Sequence, residues 1–414
     1  MDITTDSPRC RLLDLTRLMS RVGRGAATGV DRVEAAYLDE LLRRPDPCFF
    51  LIRTGRGYLL LDRAGGMALR DRFEGRVRWG RADLTSLLSP RLSQARKRAE
   101  SDARRLCFGR CGKPGLTDLV AQALPTGVSY LNVGLANLDA AGLAALGAVP
   151  GLQIAVMIHD TIPLDFPQFQ APGSVERFRA RLTAVATYAA LILCNSEKTR
   201  ADVQRHLEGQ RQPPMLVAHL GVTPAPPDPG ALPTAAQGDR PGFVVLGTIE
   251  PRKNHMLLFR VWEKLAEDQP PEEMPLLHVI GHRGWNNAEV FDWLEVSPLS
   301  GRFVLEYSNL TDGAVTALLQ KSRGLLFPSH AEGFGLPLVE AAALGVPVIA
   351  APLEVFREIL GDYPVYLPMG DSYSWVNEIK ARLGLKTSVN AQTVEGLSRL
   401  LGWSTHFDAV FRRI

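Results

Sequence analysis

The sequence predicts an α/β protein of two doubly wound domains that are joined by a linker. Short apolar runs of strand length alternate with amphipathic stretches of helix length on both sides of residues 221–242, and this alternation implies parallel sheets. Residues 221–242 are rich in proline and glycine and have no apolar period, as is typical of a linker. The 414 residues, 46% of them apolar, suffice for a core in each half. Doubly wound sheets bind ligands at the carboxyl ends of their strands, so we expect the site in the cleft between the domains.

The N-terminal domain, residues 1–220, is predicted to begin with an apolar segment at 12–18 and a Gly-rich loop at 23–34 that leads into a helix. The glycines of that loop miss the G-x-G-x-x-G spacing by one residue, so the loop alone is weak evidence for nucleotide binding. Periodicity and capping predict further elements: strands at 153–158 and 189–194, a helix at 175–186, and a helix that begins after Ser196 as its N-cap.

The linker is placed at residues 221–241 and the C-terminal domain at residues 242–393. Helical patterns such as residues 256–265 separate the predicted strands of this domain. The strands are predicted at 242–247, 276–281, 302–305, 324–328 and 346–350. Residues 394–414 are predicted to form a final helix, whose buried face would consist of Leu397, Leu400, Leu401 and Trp403.

Composition and charge exclude several classes of protein. A net charge of +3 is too small to imply nucleic-acid binding, and no apolar run approaches the roughly 20 residues that a membrane-spanning helix needs. The acidic segment Met1–Asp6 lacks the apolar stretch of a signal peptide. The five cysteines are odd in number and widely spread, which predicts reduced thiols in a cytosolic protein. Cys107 and Cys111 form one C-x3-C without a second pair, a weak signal for a metal site.

The sharpest local signal is the segment 327–350, which has the pattern of a strand, a Gly-containing loop, a helix and a second strand. Backbone amides of residues 333–335 and the helix start favour an anion such as a diphosphate. Glu332 and Glu340 suit hydroxyl-rich groups, because a carboxylate accepts hydrogen bonds from two sugar hydroxyls. The alternative is structural, with Glu332 as an ordinary acid at a helix start and Glu340 solvated.

Two adjacent cations follow the predicted strand at 242–247. Arg252 and Lys253 stand just before an apolar helical stretch, where the helix dipole disfavours positive charge. This mismatch favours a functional role, and we expect the two side chains to neutralise a leaving diphosphate. A solvated helix start is the alternative.

His159 and Asp160 come directly after the predicted strand at 153–158, a position that is suited to chemistry. A turn in which Asp160 caps the backbone and His159 is merely buried explains the pair equally well. The chain contains no D-x-D sequence, which agrees with stabilisation of a leaving group without a metal.

The stretch 91–113 holds eight basic residues against two acidic ones. Residues 96–105 predict a helix with one cationic face, which is suited to contact with an anionic membrane surface. Leu106 and Phe108 are the only large apolar residues nearby in the sequence, so deep insertion is not expected, and a solvated helix face is the alternative. Nucleic-acid binding is not expected, because aromatic side chains are not interleaved with the cations.

In their order along the chain, these motifs resemble those of glycosyltransferase family 4, retaining enzymes of the GT-B fold, and especially its mannosyltransferase-like members. The most specific match is E-G-F-G-L-P-L-V-E, from Glu332 to Glu340, which is followed by A-A-A-L-G-V-P-V-I-A. G-T-I-E-P-R-K-N at 247–254 and I-H-D-T-I-P at 158–163 also match. The resemblance runs over about residues 12–370. Its remaining motifs are T-G-V-D-R-V at 28–33, S-E-K-T-R-A-D-V at 196–203 and the segment 355–362.

The resemblance implies a role for each matching residue of the C-terminal half. Glu340 would bind the ribose of the nucleotide, Glu332 would touch the donor sugar, and Lys253 would bind phosphate. Thr248 stands where many members have an arginine, so Arg252 is expected to supply the second positive charge. Further contacts to the donor are implied at Gly29, Gly247, Tyr307, Asn309, Leu310, Gly333, Phe334, Gly335 and Leu336.

The implied reaction is a retaining, metal-independent hexosyl transfer, with His159, Glu332, Arg252 and Lys253 as the catalytic set and Asp160 beside His159 on the acceptor side. The donor would be a nucleotide diphosphate sugar, with GDP-mannose favoured. The acceptor would be a saccharide or a lipid-linked saccharide in polysaccharide or glycolipid biosynthesis. No cofactor is expected beyond the donor, and nucleic acid is not an expected partner.

The resemblance also implies a bacterial cytoplasmic protein that is peripheral at the inner face of the membrane, with the final helix packed back on the N-terminal domain. Two alternatives stay open. The first is another GT-B enzyme, such as a nucleotide-sugar epimerase or a phosphorylase, and an epimerase would act on the donor without an acceptor. The second is a non-catalytic scaffold that binds sugar nucleotides, which would not turn the donor over by itself.

Overall fold

The computed structural model describes residues 10–25, 27–384 and 401–414. These residues form two α/β domains, each built around its own mainly parallel sheet. The predicted fold class is therefore confirmed, and the two sheets account for the strand and helix alternation in the sequence.

Within the described residues, eight strands form the N-terminal sheet in the order β4-β3-β2-β1-β5-β6-β7-β8. Strands β1, β2 and β5 to β8 pair in parallel, whereas β3 and β4 add an antiparallel edge. The strands are β1 (Arg11–Asp14), β2 (Cys48–Thr54), β3 (Gly57–Leu61), β4 (Gly109–Cys111), β5 (Ser129–Asn132), β6 (Gln153–Ile158), β7 (Leu191–Cys194) and β8 (Met215–Val217).

The helices of the N-terminal domain lie between these strands. The predicted helix at 175–186 is confirmed and is slightly longer, and Ser196 caps the following helix, because its hydroxyl accepts from the amide of Thr199. The predicted strand at 189–194 begins two residues late, since the amide of Ala189 still bonds the preceding helix. The helices are α1 (Thr16–Arg21), α2 (Gly29–Arg43), α3 (Arg63–Phe73), α4 (Leu84–Leu87), α5 (Gln94–Leu106), α6 (Leu116–Ala123), α7 (Ala140–Gly147), α8 (Ile162–Asp165), α9 (Ser174–Tyr188) and α10 (Glu197–His206).

In the C-terminal domain, the described strands form one six-stranded parallel sheet in the order β11-β10-β9-β12-β13-β14. All five strands predicted for this half are present, although the one expected at 302–305 lies two residues further along. The strands are β9 (Gly242–Leu246), β10 (Leu276–Ile280), β11 (Val304–Tyr307), β12 (Leu325–Phe327), β13 (Val348–Ala350) and β14 (Val365–Tyr366).

The linker region is not wholly irregular, because the short helix α11 (Thr234–Gln237) forms within it. The helices of the C-terminal domain then cover its sheet. They are α12 (His255–Asp268), α13 (Ala288–Val296), α14 (Asp312–Lys321), α15 (Leu336–Ala343), α16 (Glu354–Leu360) and α17 (Ser372–Leu383).

Both faces of each sheet are buried. Successive residues of β1, Leu12 and Leu13, belong to different hydrophobic clusters, and so do Phe243 and Val244 of β9. Side chains of a strand alternate between the two faces of its sheet, so each face has its own apolar cover of helices. This arrangement leaves the strand ends, rather than the sheet faces, for ligands.

The last helix, α18 (Trp403–Phe411), contacts the N-terminal domain. The hydroxyl of Tyr37 lies 2.8 Å from Nε2 of His406, and the ring of Phe407 packs edge-on against Tyr37. Of the predicted buried face, Leu401 is buried and Trp403 is half-buried, while Leu397 and Leu400 lie outside the described residues. In the part of the chain that the structure describes, no helix has both the length and the apolar character that crossing a membrane requires.

Candidate functional site

The candidate site lies where the C-terminal sheet changes the direction of its strand order. Counted along the chain, that order is 3-2-1-4-5-6, and it reverses between β9 and β12. A crevice opens at such a point, outside the carboxyl ends of the two strands. The chain leaves β9 through residues 247–254 and leaves β12 through residues 328–335, which are the two segments that the sequence singles out.

The loop after β12 has a shape that requires glycine. Gly335 precedes α15 with a left-handed φ of 91°, and a Cβ there would lie 2.7 Å from Phe356. A Cβ on Gly333 would lie 2.2 Å from the carbonyl oxygen of His159 in the N-terminal domain. Pro337 occupies the first turn of α15, where a missing backbone N–H costs nothing. The loop therefore touches the opposite domain directly.

Four charged side chains form a buried cluster in this crevice. Lys253 Nζ lies 2.5 Å from Glu332 Oε1, and Arg252 Nη1 lies 2.8 Å from Glu332 Oε2. The other terminal nitrogen of Arg252, Nη2, donates to Glu250 Oε1 at 2.6 Å. Two cations and two carboxylates thus offset one another, and the structure brings together three residues that were predicted from separate motifs.

The cations determine the ionisation of Glu332. Burial opposes its ionisation, but Arg252 and Lys253 outweigh burial and lower the pKa of this carboxyl to about 2. Burial lowers the pKa of the Lys253 ammonium, and the charge of Glu332 opposes that change. Glu332 is therefore a carboxylate at neutral pH, and any diphosphate that reaches Lys253 must share that cation with it.

Glu250 belongs to the cluster although the sequence analysis did not select it. It fixes one side of Arg252, while Nη1 of Arg252 also donates to the carbonyl oxygen of Ala331 at 2.6 Å. These two bonds hold the guanidinium plane between the loops after β9 and β12. The only sequence signal for Glu250 is its spacing of two residues from Arg252 in E-P-R-K.

Gly247 allows Lys253 to approach the end of β9. Its φ of 143° is rare for other residues, and a Cβ there would lie 3.1 Å from Cε and 3.3 Å from Nζ of Lys253. A side chain at this position would therefore push the ammonium away from Glu332. The contact of Gly247 with a donor stays a prediction.

His159 faces the loop after β12 from the end of β6. The ring is buried, and Nε2 lies 2.7 Å from the carbonyl oxygen of Val133, so this nitrogen carries the hydrogen and donates. Burial lowers the pKa of His159 to about 4, which leaves the ring neutral at pH 7. The lone pair then lies on Nδ1, which can accept a hydrogen bond from a hydroxyl.

Asp160 caps the local turn, and its pKa is affected by the charged cluster. Its Oδ1 accepts from the amide of Ile162 at 3.1 Å, which is the capping role that the sequence left open. Burial raises the pKa of Asp160, and the positive charge of Arg252 opposes this rise. Asp160 of the N-terminal domain is therefore close enough to feel the charge of Arg252 in the C-terminal domain.

Glu340 is bound by the N-terminal domain. Arg32 of α2 bonds Glu340 Oε1 and, through its other terminal nitrogen, Asp312 Oδ1 at 3.0 Å. Burial raises the pKa of Glu340, and Arg32 opposes that rise. Arg32 lies in the motif T-G-V-D-R-V but was not selected as a site residue, because a partner 308 residues away leaves no local signal.

The remaining predicted donor residues lie around this crevice at different distances. Gly29 faces α15, since a Cβ on it would lie 3.2 Å from Leu336 Cδ1, and the Phe334 side chain is buried. Tyr307 stacks on His278 at the end of β11, Leu310 is half-buried, and Asn309 is exposed.

The basic stretch differs from its prediction. Residues 94–106 form α5, but Arg96 pairs with Glu100 at 2.8 Å and Arg104 pairs with Asp83 at 2.7 Å. The expected single cationic face is therefore partly neutralised by the protein itself. Among the described residues, no group of three or more His, Cys, Asp or Glu side chains could hold a metal ion, and Cys107 and Cys111 are not in a disulfide.

A model of a known protein family matches the part of the chain that carries this site. Residues 233–381 match the family model described as "Glycosyl transferases group 1". The C-terminal domain is thus similar to glycosyltransferase domains. The matched segment contains both loops of the crevice and the whole charged cluster.

Curated relatives include the serotype-specific mannosyltransferase WbdA of Escherichia coli, which is 30% identical over 264 residues. That match covers 60% of this chain and 30% of WbdA. The O-antigen chain mannosyltransferase B of Escherichia coli is 32% identical over 117 residues, which cover 28% of this chain and 30% of that protein. The chain therefore spans about a third of the length of the curated relatives that it matches.

Solved structures show the fold of the whole chain. The sucrose-phosphate synthase of Thermosynechococcus elongatus aligns with a TM-score of 0.62 at 15% identity, over 98% of both chains. The Anabaena protein Alr3699/HepE in complex with UDP aligns with a TM-score of 0.63 at 16% identity, again over 98% of both. The fold is GT-B, with two Rossmann-like domains that face each other across a cleft.

Proposed function

We propose that this chain is a retaining, metal-independent hexosyltransferase of glycosyltransferase family 4 that uses a nucleotide diphosphate sugar. The proposal rests on the buried cluster of Arg252, Lys253 and Glu332 at the switch point, with His159 of the other domain against the same loop. Two cations beside the amides of a helix start suit the diphosphate of a departing nucleotide. The family match over residues 233–381 supports this assignment.

The favoured donor is GDP-mannose, and the favoured acceptor is a saccharide or a lipid-linked saccharide. Relatives described as mannosyltransferases support the mannosyl group, and two of them are named for the O-antigen chain. We place the protein in the cytoplasm, with access to the inner face of the membrane, since a lipid-linked acceptor would be presented there.

In the proposed reaction, an acceptor hydroxyl attacks the anomeric carbon on the face from which the nucleoside diphosphate leaves. The bond between the anomeric carbon and the phosphate oxygen breaks, and the hydroxyl proton passes to the departing diphosphate. Arg252 and Lys253 stabilise the charge that develops on the leaving group. Glu332 is bound to both cations and is therefore a weak nucleophile, which argues against a covalent two-carboxylate scheme.

Thermal unfolding with a panel of nucleoside diphosphates and nucleotide sugars, with and without a chelator, tests the proposal. A ligand at 100 times its Kd should add about 2.7 kcal/mol of stability. We expect a shift with one base only, no effect of the chelator, and loss of the shift in Lys253→Ala and Glu340→Ala. Lys380→Ala is the matched control, because Lys380 pairs with Asp268 at the surface, outside the crevice.

Turnover separates the proposal from its alternatives. Release of the nucleoside diphosphate that requires a saccharide acceptor supports the transferase. Conversion of the nucleotide sugar without an acceptor would instead indicate an epimerase. A folded protein that no nucleotide stabilises would contradict the proposed function altogether.

A further inference from the structure

A short helix of the N-terminal domain exposes an apolar surface. In α4 and the residue after it, the exposed fractions are 80% for Leu84, 51% for Leu87 and 73% for Leu88. Together with Val77, at 42%, they make up four of the nine large hydrophobic side chains that are exposed in the described part of the chain. Apolar side chains that cluster on a surface mark an interaction site more often than chance exposure.

Helix α4 is fixed to the protein rather than frayed. The Asp83 carboxylate accepts from the amide of Ser86 at 2.7 Å and from two nitrogens of Arg104 at 2.7 and 2.8 Å. The Ser86 side chain is buried, and its hydroxyl contacts that of Ser101 at 3.1 Å. The polar side of this turn is therefore satisfied inside the fold, and the leucines are held outward.

The surroundings of these leucines are strongly cationic. Residues 76–113 contain eleven Lys and Arg against three Asp and Glu, a net of +8 in a chain whose total is +3. All three acids are already paired with arginines, Asp83 with Arg104, Glu100 with Arg96, and Asp102 with Arg72. Exposed cations lie on both sides of α4 along the chain, at Arg78, Arg81 and Arg91.

We infer that α4 is a membrane-docking element, in which Leu84, Leu87 and Leu88 enter the interface of an anionic bilayer while Arg78, Arg81 and Arg91 bind its headgroups. An apolar centre with a basic rim has the chemistry that anionic lipid surfaces bind. In the sequence, Leu106 and Phe108 were the only large apolar residues expected near the basic helix α5. In the structure, bonds from Asp83 to Arg104 and from Ser86 to Ser101 also hold α4 and its leucines against α5.

The docking element adjoins the cleft through α5. A Cβ on Gly23, in the Gly-rich loop, would lie 2.5 Å from Cβ of Ala95 at the start of α5. The same loop reaches the C-terminal domain, where a Cβ on Gly25 would lie 2.8 Å from His282. A bilayer bound at α4 would present a lipid-linked acceptor near the cleft. This role for docking rests on the proposed function, which includes such an acceptor.

Co-sedimentation of the full chain with vesicles tests the inference. We expect binding to phosphatidylcholine vesicles that contain phosphatidylglycerol and little binding to phosphatidylcholine alone. The double variant Leu84→Ser/Leu88→Ser should lower the partition coefficient at least about tenfold. The matched control is Val296→Ser, since Val296 is 81% exposed on the C-terminal domain and its replacement should change nothing.

A second pair of substitutions tests the basic side chains that flank α4. Arg81→Gln/Arg91→Gln should weaken binding and flatten its dependence on salt, because these side chains act through charge. Equal binding of wild type and the leucine variant, or equal binding to neutral vesicles, would overturn the inference. The inference would also be overturned if light scattering showed a dimer for the wild type and a monomer for the leucine variant. The leucines would then join two copies of the chain.

Nucleotide-dependent thermal shifts of the same variants separate this inference from the proposed function. The leucine variant should keep the wild-type shift, since the ion pairs of Arg252, Lys253 and Glu332 lie within the C-terminal domain, whereas α4 belongs to the N-terminal domain. Vesicle binding that persists in a chain without nucleotide binding would remove the proposed function but leave the docking element in place.

Discussion

An arginine of the N-terminal domain opposes the effect of burial on the ionisation of Glu340. Arg32 bonds both Glu340 and Asp312, so one guanidinium is shared by two carboxyl groups at the cleft. Burial alone would raise the pKa of Glu340, and Arg32 acts against that rise. Arg32 therefore favours the ionised carboxylate, the form that would accept hydrogen bonds from two ribose hydroxyls under the proposed function.

We expect Arg32→Gln to weaken nucleoside diphosphate binding about tenfold at pH 7 and to move its loss on acidification to a higher pH. Without the guanidinium, the pKa of Glu340 rises further, and a larger fraction of the carboxyl is protonated at each pH on the acidic side. Titration calorimetry across the range from about pH 8 to about pH 5 checks this prediction.

Arg32→Lys is the control for that variant. A lysine keeps the charge but loses the planar fork, so the pH profile should return most of the way towards wild type. An affinity that falls by the same factor at every pH would contradict the electrostatic role and leave Arg32 as a mechanical contact between the domains.

The sequence predicted which residues gather at the crevice better than it predicted their partners. Arg252, Lys253 and Glu332 lie in loops whose composition already suits an anion, so local spacing was informative. Glu250 was missed because a carboxylate near a turn is usually solvated. Arg32 was missed because its partner Glu340 is 308 positions away, beyond any periodic signal.

At the scale of single elements, α15 depends on the glycine before it. Gly335 has a left-handed φ of 91°, and a Cβ there would meet the ring of Phe356 at 2.7 Å. Phe356 is fully buried in α16 and packs edge-on against Phe327 of β12. The backbone strain and the steric clash that a Cβ at position 335 would cause can therefore relax only if α15, the helix that carries Glu340, moves.

Gly335→Ala should lower the free energy of unfolding by about 3 kcal/mol, the sum of a strained backbone and an overpacked core. Gly209→Ala is the matched control, because Gly209 has a similar φ of 76° but no atom within 4 Å of its Cβ position. It should cost only about 1 kcal/mol. Urea unfolding measures both, and equal losses would show that packing against Phe356 is unimportant.

The strands of the parallel sheets were predicted more completely than the antiparallel edge. Strands β9 to β13 each follow a helix or loop of ordinary length, so the alternation in the sequence indicates them. Residues 48–61 fold instead as a hairpin, which the alternating pattern does not contain. Strand β14 has only two residues and is too short for any periodicity.

At the scale of the whole molecule, separate motifs meet between the domains. Glu358 of α16 accepts from the backbone amides of Glu197 at 2.7 Å and Lys198 at 3.1 Å, at the start of α10. The indole nitrogen of Trp285 donates to the carbonyl oxygen of Phe169 at 2.8 Å. The motifs at 196–203 and 355–362 thus form one interface, which the sequence could not indicate because each motif is local.

Gly333→Ala should separate transfer from nucleotide binding. The added methyl would lie 2.2 Å from the His159 carbonyl oxygen, and a backbone atom cannot move aside as a flexible side chain would. Transfer should fall about a hundredfold through misplacement of the domains, a larger loss than the loss of affinity for the nucleoside diphosphate.

Steady-state kinetics measures the loss of transfer. Small-angle scattering should show a larger radius of gyration for the Gly333→Ala chain than for the wild type. Gly370→Ala is the matched control in the same domain, because no atom lies within 4 Å of its Cβ position. A Gly333→Ala chain with wild-type transfer would show that the contact between the loop and His159 has no part in closing the cleft.

Under the proposed function, the cluster around Glu332 has a consequence for the release of the product. A nucleoside diphosphate product would carry several negative charges, and its departure would leave two largely buried cations without that partner, which is costly. Glu332 reaches both Arg252 and Lys253, so the chain supplies its own counter-ion at the moment of release. When the nucleoside diphosphate leaves, the carboxylate of Glu332 would replace it as the partner of Arg252 and Lys253. The two cations would then keep a negatively charged partner throughout.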